Sequence, residues 1–160
     1  MTLNKKLQAE LDSRKVPLVP ADLDEIRKLA GHDLPEDYRA FMLRFGPVSF
    51  SGHGTEFRYE YRDADGMDAE EWNSLAELYH PDAMRRMVRQ LHGFYLGDVL
   101  DSMLMIGAVP NGDPIFMGFG DRAGIWLPIG HDDDGVWNPE TGGRLVKIAD
   151  SLTAFLQQLS

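Results

Sequence analysis

The stretch Leu34-Pro35-Glu36-Asp37-Tyr38-Arg39-Ala40-Phe41, closing at Phe45-Gly46-Pro47, decides how this chain folds. Pro35 suits the first position of a helix, where its missing N–H costs nothing. Glu36 and Asp37 follow at the positive end of the helix dipole. Tyr38, Phe41, Met42 and Phe45 then fall at i, i+3, i+4 and i+7, which makes one apolar face against a core. Gly46-Pro47 ends the helix.

Working towards the N-terminus, Asp22 reads as an N-cap with Glu25 three residues on, and Leu23, Ile26, Leu29 and Ala30 form an apolar stripe before Gly31. This predicts a helix over 22–30. Leu3, Leu7 and Leu11 predict a short helix within residues 1–12, and Pro17 and Pro20 break the chain behind it.

Working towards the C-terminus, Phe57, Tyr59 and Tyr61 alternate with Glu56, Arg58, Glu60 and Arg62, the pattern of a half-buried strand from Thr55 to Arg62. Asp63 to Gly66 is a turn. Asp68 to Tyr79 then reads as helical, with Trp72, Leu75, Leu78 and Tyr79 as its buried set. His80-Pro81 interrupts it, because a residue before proline avoids helical dihedrals. A second helix from Pro81 buries Met84, Met87, Val88 and Leu91, so residues 63–95 read as a helical excursion between strands.

The remainder is rich in strands. Met103 to Val109 is apolar almost throughout, as in a strand covered on both faces. Pro110-Asn111-Gly112-Asp113 holds a hairpin turn signal, and Ile115–Phe119 returns from it. Gly120-Asp121-Arg122 turns again, and Ile125–Ile129 and Leu145–Ile148 add two more strands. Leu152, Phe155, Leu156 and Leu159 give a closing helix near 150–159. The order predicts a single α+β domain, a mainly antiparallel sheet flanked by N-terminal helices and a closing C-terminal helix.

Three of these segments, in this order and at this spacing, resemble the SUKH superfamily. They are the Leu34–Phe41 helix start, the Asn111-Gly112-Asp113 turn leading into Pro114-Ile115-Phe116-Met117, and Ile148-Ala149-Asp150-Ser151-Leu152-Thr153-Ala154-Phe155-Leu156. The superfamily includes fungal Smi–Knr cell-wall regulators and many bacterial immunity proteins. The resemblance spans roughly residues 20 to 160, and the segment 63–95 departs from the short family core. It implies a small α+β domain that acts by binding other proteins, with no shared catalytic triad or metal site. In bacteria it implies a cognate antidote to a secreted polymorphic toxin, many such toxins being nucleases or nucleic-acid deaminases. The matching positions are scaffold residues, so no binding residue carries over.

Composition narrows the function classes. The chain has 160 residues, 43% of them hydrophobic, enough for a packed core without staples. Having no Cys, it has no disulfide, catalytic thiol or thiolate metal site, which suits a reducing cytoplasm. The N-terminal Met1–Gln8 carries positive charge with no apolar core behind it, unlike a signal peptide, and no apolar run reaches membrane-spanning length. Asp and Glu number 26 against 16 Lys and Arg, a formal net charge of −10. Such a chain is repelled by phosphate backbones and anionic membranes and attracted to basic surfaces. Neither nucleic acid nor membrane is expected as its direct partner.

Motifs that carry chemistry are few. His131-Asp132-Asp133-Asp134-Gly135 offers carboxylates and an imidazole to a cation. In the EF-hand register set by Gly135, Gly130 takes the first position and Thr141 the twelfth, where a bidentate Glu belongs, so that template fails. His53 lies in a Gly52–Gly54 loop with no base or nucleophile beside it, and His32, His80 and His92 show no ligand spacing. No catalytic residue, metal ligand or cofactor is assigned. The acids Asp63, Asp65, Asp68, Glu70 and Glu71 crowd one segment and suit a basic protein surface, joined by Asp132, Asp133 and Asp134. Tyr59, Tyr61 and Trp72 are aromatic anchors for such a contact if exposed, although Trp72 otherwise reads as core.

The expectation is a cytoplasmic, non-enzymatic binding protein that neutralises a cognate toxin with a basic surface. Two alternatives stand beside it. One is a regulatory or scaffold domain of the cell-wall-regulator type, and the other a small metal-dependent enzyme using the His131–Asp134 loop.

Overall fold

The computed structural model describes residues 2–160; Met1, part of the N-terminal stretch read above, lies outside them. Helix α1 (Lys5–Arg14) starts at Asn4, whose Oδ1 accepts from the Leu7 N–H at 2.8 Å, and it buries Leu7 and Leu11. Helix α2 (Pro20–Ala30) begins two residues before the expected Asp22 cap. Pro20 occupies its first turn, while the Asp22 carboxylate reaches back to accept from the Val19 N–H at 3.0 Å. Helix α3 (Glu36–Arg44) buries Tyr38, Phe41 and Met42, the face read from the sequence.

Strand β1 (Val48–Ser49) follows, then a hairpin of β2 (Glu56–Arg62) and β3 (Asp68–Ser74), then the short β4 (Glu77–Leu78). After α4 (Pro81–Leu91) come β5 (Met103–Ala108), β6 (Pro114–Gly118), β7 (Gly124–Ile129), β8 (Arg144–Ala149) and α5 (Leu152–Gln158). Six strands form one sheet in the order β1-β4-β5-β6-β7-β8, antiparallel at every step. The β2–β3 hairpin is a separate two-stranded sheet. The α+β reading therefore holds.

Strands β5 and β6 are buried at every position. Met105, Phe116 and Trp126 sit opposite one another on one face, and Leu104, Met117 and Ile125 on the other. Tyr95 covers the first face, edge-on to Phe116 at 5.5 Å and stacked on Trp137 at 5.9 Å. Two segments singled out in the sequence also meet: Asp37 of α3 accepts the Thr153 N–H of α5 at 2.8 Å, and Ser151 accepts that of Ala154 at 3.1 Å. Unpaired N–H groups of the first turn of α5 are thus satisfied by one local cap and one carboxylate from another helix. No helix among the described residues is long and apolar enough to cross a membrane.

One element is corrected. The helix expected from Asp68 to Tyr79 is instead β3, two linking residues and β4, so the excursion between strands reduces to the single helix α4. Residues 68–74 pair with β2 one for one, from Arg62↔Asp68 to Glu56↔Ser74. The turn at Asp63–Met67 supplies that partner, and a ladder of main-chain bonds outweighs the helical propensity of an Ala- and Glu-rich segment. The apparent helical spacing of Trp72 and Leu75 has no structural meaning. Trp72 points to solvent from β3, whereas Leu75, beyond the strand, is buried.

Candidate functional site

The period of two in β2 divides the hairpin into two faces. Phe57, Tyr59 and Tyr61 face inward, opposite Asn73, Glu71 and Ala69 of β3. Phe57 anchors the base, edge-on to Phe155 of α5 at 5.1 Å. The outer face carries Arg58, Glu60, Arg62, Asp68, Glu70 and Trp72. There Arg58 pairs with Glu70 at 3.1 Å and Glu60 at 3.4 Å, and Arg62 with Asp68 at 3.3 Å. Such exposed pairs contribute little to stability. Trp72 stands among them 62% exposed, with Met67 of the turn also open to solvent. The expectation that Trp72 is core is therefore wrong.

Behind the inner face lies a cleft of about 440 Å³. Its hairpin wall is Tyr59, Tyr61, Asp63, Glu71 and Asn73; its opposite wall comes from Val109, Asn111 and Asp113 at the β5–β6 turn, from Leu127–His131, and from Arg144 at the start of β8. A single carboxylate organises the hairpin wall. The Tyr59 hydroxyl donates to Glu71 Oε2 and the Tyr61 hydroxyl to Glu71 Oε1, each at 2.7 Å. Those two bonds, that from Tyr61 foremost, hold the Glu71 carboxyl below its usual range. In turn burial, and then the bond it donates to Glu71, push the Tyr59 hydroxyl up, while Tyr61's own bond to Glu71 leads its upward shift.

The opposite wall is fixed by Trp137, whose indole N–H is shared between the Ile129 and Arg144 carbonyls, 3.1 Å from each. The two ends of the 130–143 loop approach so closely that a Cβ on Gly130, at φ +78°, would lie 2.2 Å from the Gly142 carbonyl oxygen. This places His131 with its Nε2 2.8 Å from the Tyr95 hydroxyl. Arg144 reaches the other way, donating to the Arg62 carbonyl with its guanidinium 6.0 Å from the centre of the Tyr61 ring. It ties the hairpin to the sheet.

The structure thus divides the acidic residues expected to form one patch. Glu71 and Asp63 line the cleft, whereas Asp68 and Glu70 lie on the outer face. Asp65 is exposed in the turn, where Asp63 Oδ1 accepts from the Asp65 and Met67 N–H groups. Tyr59 is largely buried and Tyr61 half-buried, both line the cleft, and neither is a protruding anchor. Asp132, Asp133 and Asp134 continue from the cleft wall at His131. Asp132 Oδ1 is occupied by the Asp134 and Val136 N–H groups at 3.0 and 2.8 Å.

In the His131–Asp134 loop the imidazole turns to Tyr95 and Oδ1 of the first carboxylate to its own backbone. Among the described residues no three His, Asp or Glu side chains come together as metal ligands. Sequence reasoning missed Asn73, Asn111, Asp113 and Arg144 as site residues. Asn111 and Asp113 were visible only as turn formers, which they also are, with the Asp113 N–H donating to Asn111 Oδ1 at 3.0 Å. Nothing in the sequence marks Arg144.

Residues 17–158 match the model of the SMI1 / KNR4 family (SUKH-1). No curated protein and no solved structure matches the chain. The matched range runs from α2 to α5 and includes both walls of the cleft, and the chain belongs to the SMI1 / KNR4 family (SUKH-1) of the SUKH superfamily.

Proposed function

We propose that this chain is a non-enzymatic immunity protein that neutralises a cognate toxin by binding it through the β2–β3 hairpin. The observation that carries this reading is Trp72, a large aromatic side chain held 62% exposed on a two-stranded ribbon and given no partner in the core. Exposed aromatic anchors of this kind dominate binding energy at protein interfaces. Around it the hairpin is acidic, with Glu56, Glu60, Asp63, Asp65, Asp68, Glu70 and Glu71 against Arg58 and Arg62. A toxin that acts on nucleic acid needs a basic groove to hold phosphates, and an acidic ribbon imitates that charge. Family membership supports a binding role, and the absence of Cys suits the reducing cytoplasm, where the toxin meets its target.

The test is a binding and protection assay against the product of the neighbouring reading frame. Wild-type protein binds it and protects cells that express it. Trp72→Ala, folded by circular dichroism, loses about tenfold or more in affinity. Lack of binding by wild type, or undiminished binding by the variant, overturns the proposal.

A further inference from the structure

We propose that the outer edge of β3 pairs with an extended, basic strand of the protein partner, which joins the hairpin as a third strand. This rests on the toxin-binding reading for who presents the strand, and on the edge alone for the chemistry.

The direction of the main-chain groups follows from the hairpin's own bonds. In an antiparallel pair, residues that exchange N–H and C=O bonds alternate with residues whose groups point away. The Leu75 N–H donates to the Thr55 carbonyl and the Asp63 N–H to the Met67 carbonyl, each at 2.9 Å, so odd-numbered residues bond across the hairpin. Glu56 faces the other way and exchanges both of its main-chain bonds with Ser160, at 3.2 and 3.0 Å. By the same alternation the N–H and C=O groups of Asp68, Glu70 and Trp72 point out of β3, away from β2. Among the described residues no other main-chain group meets them.

The other strand edges are closed. Ser160 covers β2 at Glu56, and Arg144 covers it at the Arg62 carbonyl. Strand β1 is two residues long, and Arg14 donates to its Ser49 carbonyl at 2.8 Å. Strand β8 is bulged against β7, carries Lys147, and has its Ile148 carbonyl bonded by Gln158 Nε2 at 3.1 Å. Short length, bulges, lysines and covering groups all prevent strand addition. Strand β3 has none of these: it runs seven residues in unbroken register with β2, without Pro or Lys. Its guards are the carboxylates of Asp68 and Glu70, which select by charge and leave the main chain open.

That charge names the occupant. A second copy pairing antiparallel about Glu70 would set Glu70 beside Glu70, in chains that each carry a net charge of −10. A strand with basic residues beside Asp68 and Glu70, and an apolar one beside Trp72, is favoured at each position. The pairs those acids now make, with Arg62 at 3.3 Å and Arg58 at 3.1 Å, are exposed and weak, so both acids can turn to a new partner. Main-chain bonds would then supply affinity and alternate side chains specificity.

The test uses the purified full chain and the peptide acetyl-Thr-Val-Thr-Lys-Thr-Lys-Thr-amide, followed by amide NMR and hydrogen exchange. Antiparallel pairing puts its valine beside Trp72 and its lysines beside Glu70 and Asp68. The expected result is a saturable shift in the millimolar range centred on Asp68, Glu70 and Trp72, with slowed exchange of those amides. The same peptide N-methylated at the valine and both lysines lacks the facing donors and gives no response. With glutamates in place of the lysines, binding falls about tenfold or more. Glu70→Pro removes an outward N–H while leaving the bonds to β2, so it abolishes the response; Glu70→Gln keeps the N–H and only weakens it. No saturable shift, a shift centred elsewhere, or an equal response to the N-methylated peptide overturns the proposal, and that peptide decides the matter if Glu70→Pro does not fold. A dimer of the free chain that Glu70→Pro dissociates in sedimentation would give the edge to a second copy, and also overturns it. If the neighbouring frame's product binds wild type and folded Glu70→Pro equally, the strand proposal fails and the toxin reading stands. If the peptide binds but that product does not, the toxin reading fails and the edge assignment stands.

Discussion

Glu71 joins two tyrosines through one carboxylate, and its depressed pKa makes that junction dependent on pH. Because the folded-state value lies below the usual 4.5, the stabilisation is present above that pH and is lost as pH falls through the folded value. The fluorescence of Tyr59 and Tyr61 should therefore change at acid pH before global unfolding, and Glu71→Gln should remove that step; an identical acid titration in the variant would refute the assignment. Phe155 tests the core. It is fully buried and edge-on to Phe57, so Phe155→Ala should cost about 3–5 kcal/mol in a urea titration. Its burial was legible from helical spacing alone, as was that of Phe41. Trp72 was not, because an aromatic residue beside Leu75 and Leu78 fits a buried stripe until the partner strand is known.

At the level of elements, β5, β6 and β7 were readable because apolar runs and turn residues are local signals. Strand β3 was not, since Asp68–Ser74 has no apolar alternation of its own and owes its conformation to β2. The cleft was hidden for a related reason: its walls come from the hairpin, the β5–β6 turn, β7 and the start of β8. Arg144 links those parts by its bond to the Arg62 carbonyl and its approach to Tyr61. Arg144→Ala should speed amide hydrogen exchange along β2 and β3 several-fold while leaving β5 and β6 protected. Uniform loss of protection across both sheets would show that the hairpin is no separate unit.

For the whole molecule the dominant quantity is the net charge of −10. If the partner is basic, stopped-flow association should slow steeply as salt rises, while dissociation changes less. A salt-independent association rate would remove electrostatic steering and leave the Trp72 contact to carry recognition by itself. The two-faced hairpin has one more consequence, which concerns descent. Inward positions such as Phe57 and Tyr59 answer to the core, whereas Arg58, Glu60, Glu70 and Trp72 answer to one another's charges and to whatever lies outside. Along β2 that division follows the parity of the residue number. Lineages that change partners can therefore rewrite alternate letters of the ribbon while inheriting the others intact, so recognition can diverge within a fold that stays put.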